Sequence, residues 1–359
     1  MLFRSTALEG AERPLVIVGK GMAWSRAEDE VREFIERTQL PFLASPMGKG
    51  VMPDEDPLSV GAARSLALKE ADVVLLMGAR LNWIMHFGLP PRFNKDVKVI
   101  QLDINPEEIG RNVPAEVALV GDGRAVTSQL NRALDDRQWF YPADTPWRTA
   151  LKEKADANAA QVQPMIDSDT APSNYYRAFK DIREWLTDDA IIIGEGANTM
   201  DIGRTQMPNA KPRHRLDAGT YGTMGVGLGF AVAAAVTNPD KPVVSVQGDS
   251  AFGFSGMEIE TMVRYNLPVK LIVLNNGGIG GGIGPLKKGQ TVPPGILTYG
   301  ARYDGMMEAL GGKGIFVEDP KDLRAALDEA MAFDGPALIN VTLDLQSNRK
   351  PQEHGWLTT

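Results

Sequence analysis

Cysteine is absent from the sequence, and histidine occurs only three times in 359 residues, as His86, His214 and His354. A chain without cysteine forms no disulfide, no thiolate metal site and no cysteine nucleophile. Three histidines leave few imidazole ligands for zinc. We therefore expect neither a disulfide-stabilised domain nor a zinc enzyme.

Long apolar runs and clusters of basic residues are also missing. The longest apolar stretch, "GVGLGFAVAAAV" at 225–236, is too short to span a bilayer and follows no charged amino-terminal region of the signal-peptide kind. The net charge is −8 and the basic residues are scattered, which is not the electrostatic footprint of a nucleic-acid-binding protein. We expect a cytoplasmic protein with a small-molecule substrate and with neither nucleic-acid nor membrane partners.

Short β-branched runs alternate with helix-like segments in both halves of the chain. This alternation is typical of parallel α/β sheets, and the length allows more than one domain. We predict an α/β fold with two doubly wound parallel-sheet domains. The predicted strands lie within 13–21, 40–45, 71–79, 97–104, 117–122, 190–196, 242–249, 268–276, 313–319 and 336–344.

The strand pattern stops between the two halves. Residues 135–172 carry four prolines together with many alanines and charged residues, which indicates a linker with one exposed helix. The predicted organisation is a first domain at 1–134, a linker at 135–172 and a second domain at 173–359.

One stretch, "VQGDSAFGFSGMEIETMVRYNLPVKLIVLNNGG" at 246–278, places Asp249 and Asn276 directly after two successive apolar strands. Ligands of open parallel sheets bind beyond the carboxyl ends of the strands. Mg²⁺ beside a phosphate takes oxygen ligands such as a carboxylate, an amide and a carbonyl, and Gly277 and Gly278 allow a carbonyl to turn inward. Either polar residue alone is more simply a loop residue, whereas the pair favours a Mg²⁺ site.

The segment between these two residues predicts a helix start. "SGME" at 255–258 has the form of a capping box, in which Ser255 caps the helix and Glu258 reaches back. Gly248 and Gly253 leave room for a phosphate near the preceding turn.

The stretch from Asp249 to Asn276 resembles the thiamine-diphosphate motif, which begins with GD and ends with N; here Ser250 replaces the usual third residue, glycine. "EGANTMD" (195–201) and "RLDAGTYGTMGVGLGFAVAAAV" (215–236) extend the resemblance. Together they are similar to the thiamine-diphosphate enzymes that act on CoA thioesters, the family of 2-hydroxyacyl-CoA lyase and oxalyl-CoA decarboxylase. The resemblance covers nearly the whole chain.

The resemblance implies cofactors and site residues in the second domain, which corresponds to the diphosphate-binding domain. Asp249, Asn276 and the Gly278 carbonyl would hold Mg²⁺. Met224 would bend thiamine diphosphate into a V shape, although from its residue type alone it is equally well a core methionine. The full set of implied cofactor contacts is Ala197, Asn198, Gly222, Met224, Gly248, Ser250, Ala251 and Ile279.

The first domain resembles the nucleotide-binding-like middle domain of the family. Lys20, Arg80 and Asp103 match positions that hold ADP, and Arg64 resembles a contact to a CoA phosphate. Two simpler interpretations explain these residues equally well. Gly19 and Gly21, on either side of Lys20, would only close a strand, and Arg64 would be a solvent-exposed arginine of a helix.

Two segments resemble the lyases more than the decarboxylase: the tail "SNRKPQEHGWLT" at 347–358 and "DAGTYGTMG" at 217–225. The implied activity is cleavage of a 2-hydroxyacyl-CoA to formyl-CoA and an aldehyde, or the reverse ligation. Oxalyl-CoA decarboxylase and a non-catalytic diphosphate- or nucleotide-binding module are the alternatives.

Two departures from the family pattern bear on this activity. The family carries an activating glutamate on an amino-terminal pyrimidine-binding domain that has no counterpart here, so we expect a separate chain to supply it, or this chain to be a fragment. A homo-oligomer is expected by resemblance. Gly280 stands where the family usually has a tyrosine, and six glycines within 277–284 predict a mobile segment.

Overall fold

The computed structural model describes residues 6–280, 286 and 289–350. The chain divides into two compact units. The first unit comprises Met1–Gln161 and Pro208–Arg213, and the second comprises Val162–Met207 and His214–Thr359. The domain limits drawn from the sequence stay a prediction.

The first unit contains one parallel sheet of five strands in the order β2-β1-β3-β4-β5. Every residue of β1 and β3 is buried, as expected for apolar strands covered on both faces. The strands are β1 (Pro14–Val18), β2 (Phe42–Ala44), β3 (Val73–Met77), β4 (Lys98–Asp103) and β5 (Ala115–Val120). The helices are α1 (Thr6–Glu9), α2 (Lys20–Trp24), α3 (Glu28–Thr38), α4 (Arg64–Glu70), α5 (Gly123–Asp135) and α6 (Pro146–Ile166), in which the first unit ends.

The second unit contains a parallel sheet of six strands in the order β10-β11-β9-β8-β6-β7. The strands are β6 (Ile191–Glu195), β7 (Arg215–Asp217), β8 (Val243–Gly248), β9 (Lys270–Asn275), β10 (Lys313–Val317) and β11 (Ala337–Thr342). The helices are α7 (Tyr175–Trp185), α8 (Ala197–Gln206), α9 (Gly227–Thr237), α10 (Asp249–Ser255), α11 (Glu258–Arg264), α12 (Tyr303–Ala309) and α13 (Leu323–Ala332).

The central strand β9 of the second sheet carries apolar side chains on both faces. Along β9, Ile272 and Leu274 enter one hydrophobic cluster, whereas Leu271 and Val273 enter another. Successive strand side chains point to opposite faces, so the two clusters are the cores on the two sides of the sheet. The helices that cover both sides make this a doubly wound fold.

The predicted fold class is confirmed, since each of the ten predicted strands is present; nine lie within their predicted ranges, and β5 begins at Ala115, two residues before its predicted range. The prediction omitted β7, which has only three residues and has polar side chains at both ends. The predicted capping box is wrong. Helix α10 ends at Ser255, and α11 begins at Glu258 after Met257 without a side-chain cap.

Among the helices of the described residues, none has both the length and the apolar character needed to cross a membrane.

Candidate cofactor site

The strand order of the second sheet reverses between β6 and β8. From β6 the chain moves to β7 on one side, and from β8 it moves to β9 on the other. Ligands of open α/β sheets bind at such a reversal, beyond the carboxyl ends of the strands. The predicted residues of 197–198, 248–251 and 276–279 follow β6, β8 and β9, so three adjacent strand ends bring them together.

Asp249 is a buried carboxylate of this edge, with 1% of its surface exposed. One carboxylate oxygen accepts the Ser250 N–H at 2.7 Å, and the other accepts the N–H groups of Gly277 and Gly278 at 2.7 and 3.1 Å. Burial raises the pKa of Asp249 to about 6, although these amides oppose the shift. Asp249 thus joins the ends of β8 and β9, and its ionised form lies in an unfavourable environment. Its neighbours in α10 are half-buried Ser250 and buried Ala251.

Asn276 is equally buried, and its side chain lies in the turn that follows β9. Its Nδ2 donates to the carbonyl of Gly280 at 2.8 Å, which leaves Oδ1 as the acceptor end of the amide. Gly280 has φ +83°, a conformation that disfavours the tyrosine expected there, although a Cβ at this position would meet open space. Half of the glycine run assigned to a mobile segment, residues 281–284, lies outside the described residues.

The turn from β6 into α8 lies against the start of α10. Gly196 has φ +103°, and a Cβ there would lie 3.2 Å from the Gly248 nitrogen, so the two turns touch through backbone. Asn198 is buried, and its Nδ2 has no hydrogen-bond partner among the described residues. The hydroxyl of buried Tyr175, a residue that we did not predict, lies near the Asn198 side chain. Ala197 is exposed beside it.

These donors suit a metal-bound diphosphate. A buried amide N–H₂ without a partner fits a phosphate oxygen, and a buried carboxylate beside an amide oxygen fits a hard cation. Within the described ranges, no group of three or more histidine, cysteine or acidic side chains could hold a metal. A metal at this edge would therefore rely on one carboxylate together with amide and carbonyl oxygens.

The segment that precedes α9 is an exposed turn built on glycines. Gly222 and Gly225 have φ +60° and +85°. Met224 between them is 37% exposed, so its interpretation as a core methionine is wrong. Ile279 is 62% exposed in the turn after β9. Both side chains are accessible to a ligand of the second unit.

The predicted nucleotide-binding residues lie at the strand ends of the first unit. Lys20, Arg80 and Asp103 follow or end β1, β3 and β4, which are neighbours in the sheet. Lys20 is exposed, and Arg80 lies 3.8 Å from the Glu108 carboxylate. Asp103 accepts the N–H of Asn105 at 2.9 Å.

Arg64, the predicted CoA contact, lies beside the turn after β3. Its guanidinium donates to the carbonyl of Ile84 at 2.8 Å. Burial, together with the positive charges of Arg64 and Arg92, lowers the pKa of His86 to about 4. The structure thus places Arg64 in a positively charged environment in the first unit.

Comparison with known proteins identifies both parts of the chain. Residues 5–130 match the family described as thiamine pyrophosphate enzyme, central domain. Residues 196–341 match the thiamine pyrophosphate enzyme, C-terminal TPP binding domain. The second match includes β8 and β9 with the turns that follow them, and it begins in the turn after β6.

The similarity to curated relatives extends along nearly the whole chain. It is 50% identical to 2-hydroxyacyl-CoA lyase 1 of Mus musculus over 99% of the chain and 63% of that protein. The human protein of the same name is 49% identical, with 99% of the chain and 64% of the relative covered. Oxalyl-CoA decarboxylase of Escherichia coli K12 is 46% identical over 94% of the chain and 60% of the relative. The chain spans about three fifths of the length of these relatives. It belongs to the thiamine pyrophosphate enzymes and carries their central domain and their C-terminal cofactor-binding domain.

Proposed function

We propose that this chain forms part of a thiamine-diphosphate-dependent carbon–carbon lyase that cleaves a 2-hydroxyacyl-CoA to formyl-CoA and an aldehyde, or ligates them. The activity is proposed for these two domains together with a pyrimidine-binding domain on the same or a separate chain. The observation that carries the proposal is the contact of buried Asp249 with the Gly277 and Gly278 amides at the reversal of strand order.

The cofactor would be held by the strand ends of the second unit. Asp249, Asn276 and the Gly278 carbonyl would hold Mg²⁺, and Asn198 with Ser250 would donate to the diphosphate. Thiamine diphosphate, when bound, supplies the carbanion and the electron sink that carbon–carbon cleavage needs. The protein contributes orientation and the burial of the metal site, since Asp249 and Asn276 are each 1% exposed.

Oxalyl-CoA decarboxylase is the second candidate. The Escherichia coli decarboxylase is 46% identical to the chain, close to the 50% of the mouse lyase, so identity alone separates the two weakly. We favour the lyase because the segment "DAGTYGTMG" at 217–225 and the tail at 347–358 resemble the lyases more than the decarboxylase. Residues 351–358 of the tail lie outside the described residues.

The first unit would bind the nucleotide parts of ligands. Lys20, Arg80 and Asp103 would contact ADP at three neighbouring strand ends, and Arg64 would contact a phosphate of the CoA thioester. The support is their common edge and, for Arg64, its positively charged environment.

We also propose a homo-oligomer. The second unit exposes several large apolar side chains on and around α9, α10 and the turn after α10, which is typical of surfaces that meet a partner. They are Tyr221, Val236, Phe254 and Met257, with 93%, 62%, 66% and 65% of their surfaces exposed. Light scattering that gives only the monomer mass at working concentration would contradict this.

Calorimetry of thiamine diphosphate with and without Mg²⁺ tests the site. We expect binding that requires Mg²⁺ and that Asp249→Ala weakens by about 100-fold or more, because the only carboxylate proposed as a ligand is removed. Equal affinity in the variant would remove the site assignment. Undetectable binding by the unaltered chain would contradict the proposed function itself.

Assays on 2-hydroxyacyl-CoA and oxalyl-CoA, in the presence of a pyrimidine-binding domain, distinguish the activities. Formyl-CoA with an aldehyde from the first substrate supports the lyase, whereas release of CO₂ from the second supports the decarboxylase. Tight cofactor binding without turnover of either would support the non-catalytic module.

A further inference from the structure

Glu195, the last residue of β6, is a fully buried carboxylate outside the set of proposed cofactor contacts. Its oxygens accept the N–H of Gly225 in a short hydrogen bond and the N–H of Gly227 at 2.6 Å. The neighbouring Val226 amide also opposes the rise in the pKa of Glu195 that burial causes. Two amides from a segment some 30 residues further along the chain therefore bind one side chain.

The Gly227 amide belongs to the first residue of α9, a helix that has no side-chain cap from the residue that precedes it. The first N–H groups of a helix lack partners within the helix, and its positive end attracts a carboxylate. Glu195 supplies the missing acceptors from another strand. It caps α9 through tertiary contact.

The backbone on the other side of the contact is fitted to the carboxylate. A Cβ at Gly227 would lie 2.4 Å from Gln247 Nε2 and 2.5 Å from the nearer Glu195 oxygen, so the Glu195 carboxylate and the Gln247 amide occupy the space that a side chain would take. Gly225 has φ +85°, which residues other than glycine rarely adopt. Both glycines thus permit the close approach of Glu195.

The position of Glu195 links two parts of the proposed cofactor site. On its own strand it directly precedes the turn of Gly196 to Asn198, whose amide Nδ2 is buried without a partner among the described residues. The amides that it accepts directly follow the exposed turn of Gly222 to Met224. One carboxylate therefore ties the diphosphate end of the site to the turn assigned to the thiamine end.

We propose that Glu195 is a positioning residue, which holds the turn at 222–224 in register with the strand end that carries Ala197 and Asn198. This role rests on the proposed function, because the position of the turn at 222–224 matters only if the turn contacts thiamine diphosphate. Glu195 itself is buried and bonds the amides of Gly225 and Gly227, and it is not proposed to contact the ligand.

Glu195→Gln is the most direct variant. Glutamine keeps the length and shape of the side chain but places an N–H₂ group where a carboxylate oxygen accepts a backbone N–H, so one of the acceptor positions is lost. Glu195→Asp keeps two acceptors on a shorter side chain and serves if the glutamine variant does not fold. Asp181→Asn is the matched control, since Asp181 is another buried carboxylate of the same unit and pairs with Arg177 at 2.6 Å.

Hydrogen exchange of the peptide around 222–228 and two binding titrations test the role. We expect exchange in Glu195→Gln to be about tenfold faster than in the unaltered chain, because the cap of α9 is lost. In the presence of Mg²⁺, affinity for thiamine diphosphate falls by about the same factor, whereas affinity for inorganic pyrophosphate, which reaches only the metal end, is retained. Glu195→Asp shows the same pattern with smaller changes, and Asp181→Asn shows neither effect.

The outcomes separate this role from the proposed function. If the unaltered chain binds thiamine diphosphate and both Glu195 variants match it in exchange and affinity, the positioning role is wrong and the function stands. If pyrophosphate and thiamine diphosphate weaken equally, Glu195 acts through general stability and the positioning role is again wrong. If the unaltered chain binds neither ligand, the function fails, and the role of Glu195 fails with it.

Discussion

The two sheets reverse their strand order in the same way, but different groups lie at the strand ends beside the reversal. In the first unit it lies between β1 and β3, where the backbones of Gly19 and Gly78 meet so closely that a Cβ at Gly19 would lie 2.1 Å from the Gly78 oxygen. In the second unit it lies between β6 and β8, whose ends carry the buried carboxylates Glu195 and Asp249. In the first unit, packed backbone lies at the strand ends beside the reversal. In the second unit, two buried carboxylates lie there.

The difference makes the edge of the second unit the better candidate for the proposed metal. In the first unit Asp103 and Arg80 make local contacts at the surface of the unit. In the second, burial raises the pKa of Asp249 to about 6, and Asn198 Nδ2 has no partner among the described residues. A fold that holds an ionised carboxylate in such a place is less stable for it, and a bound cation would offset this.

Alanine substitutions at two glycines give the largest expected contrast. Gly19→Ala should lower the free energy of unfolding by about 3 kcal/mol, since its Cβ meets backbone rather than a flexible side chain. Gly253→Ala in α10 should change it by about 1 kcal/mol or less, and in the stabilising direction, because a Cβ there meets nothing within 4 Å. Urea unfolding followed by circular dichroism measures both. Equal losses in the two variants would break the contrast.

The pH dependence of the second edge sharpens the comparison. The pKa of Asp249 in the fold, about 6, lies above its ordinary value of 3.8, so the folded chain holds a proton that the unfolded chain releases. Stability from this group is present below pH 4 and is lost as the pH rises to 6, by about 3 kcal/mol in total. Without metal, we expect Asp249→Asn to gain stability relative to the unaltered chain as the pH rises through this range. A difference that stays constant from pH 4 to 8 would contradict it.

The proposed nucleotide contact of the first edge gives a smaller effect. Lys20 is exposed, so Lys20→Ala should leave unfolding unchanged while it weakens ADP binding by about tenfold, through loss of one charge from the diphosphate. Calorimetry with ADP measures this, with Lys69→Ala, an exposed lysine of α4, as the control. An equal loss in both variants would mean that no specific contact exists.

His86 gives the smallest expected effect, and its sign is opposite to that of Asp249. Burial and two arginines lower its pKa to about 4, below the ordinary 6.5, so the unfolded chain takes up a proton first. Stability is therefore lost as the pH falls from 6.5 to 4, by about 1 kcal/mol after allowance for partial exposure. His86→Asn, which tolerates the φ of +49°, should remove that loss. A variant as acid-sensitive as the unaltered chain would contradict the assignment.

The sequence predicts the fold well because the strands are buried on both faces. Runs such as Val73–Met77 are apolar at every position, which needs no knowledge of tertiary contacts. Arg215–Asp217 has no such apolar run, because both of its end residues are polar. It forms the edge strand of its sheet, where Arg215 and Asp217 pair with Ile192 and Gly194. Its strand conformation therefore depends on tertiary contacts that the sequence pattern does not show.

The site is less predictable where its contacts are distant in sequence. Asp249 and Asn276 follow apolar strands, so their common edge is evident from the pattern, and the residues between them resemble a known motif. Glu195 and Tyr175 carry no such pattern. Their contacts with Gly225, Gly227 and Asn198 come from other elements, and only the glycines on either side of Glu195 hint at an unusual environment.

The most direct measurement is anomalous scattering of Mn²⁺ in crystals grown with thiamine diphosphate, since Mn²⁺ takes the same oxygen ligands as Mg²⁺. We predict one peak in the second unit about 2.2 Å from an Asp249 carboxylate oxygen and from Asn276 Oδ1, beside the Gly278 carbonyl. A peak bound to other residues, or a diphosphate bound away from β8 and β9, would contradict the account.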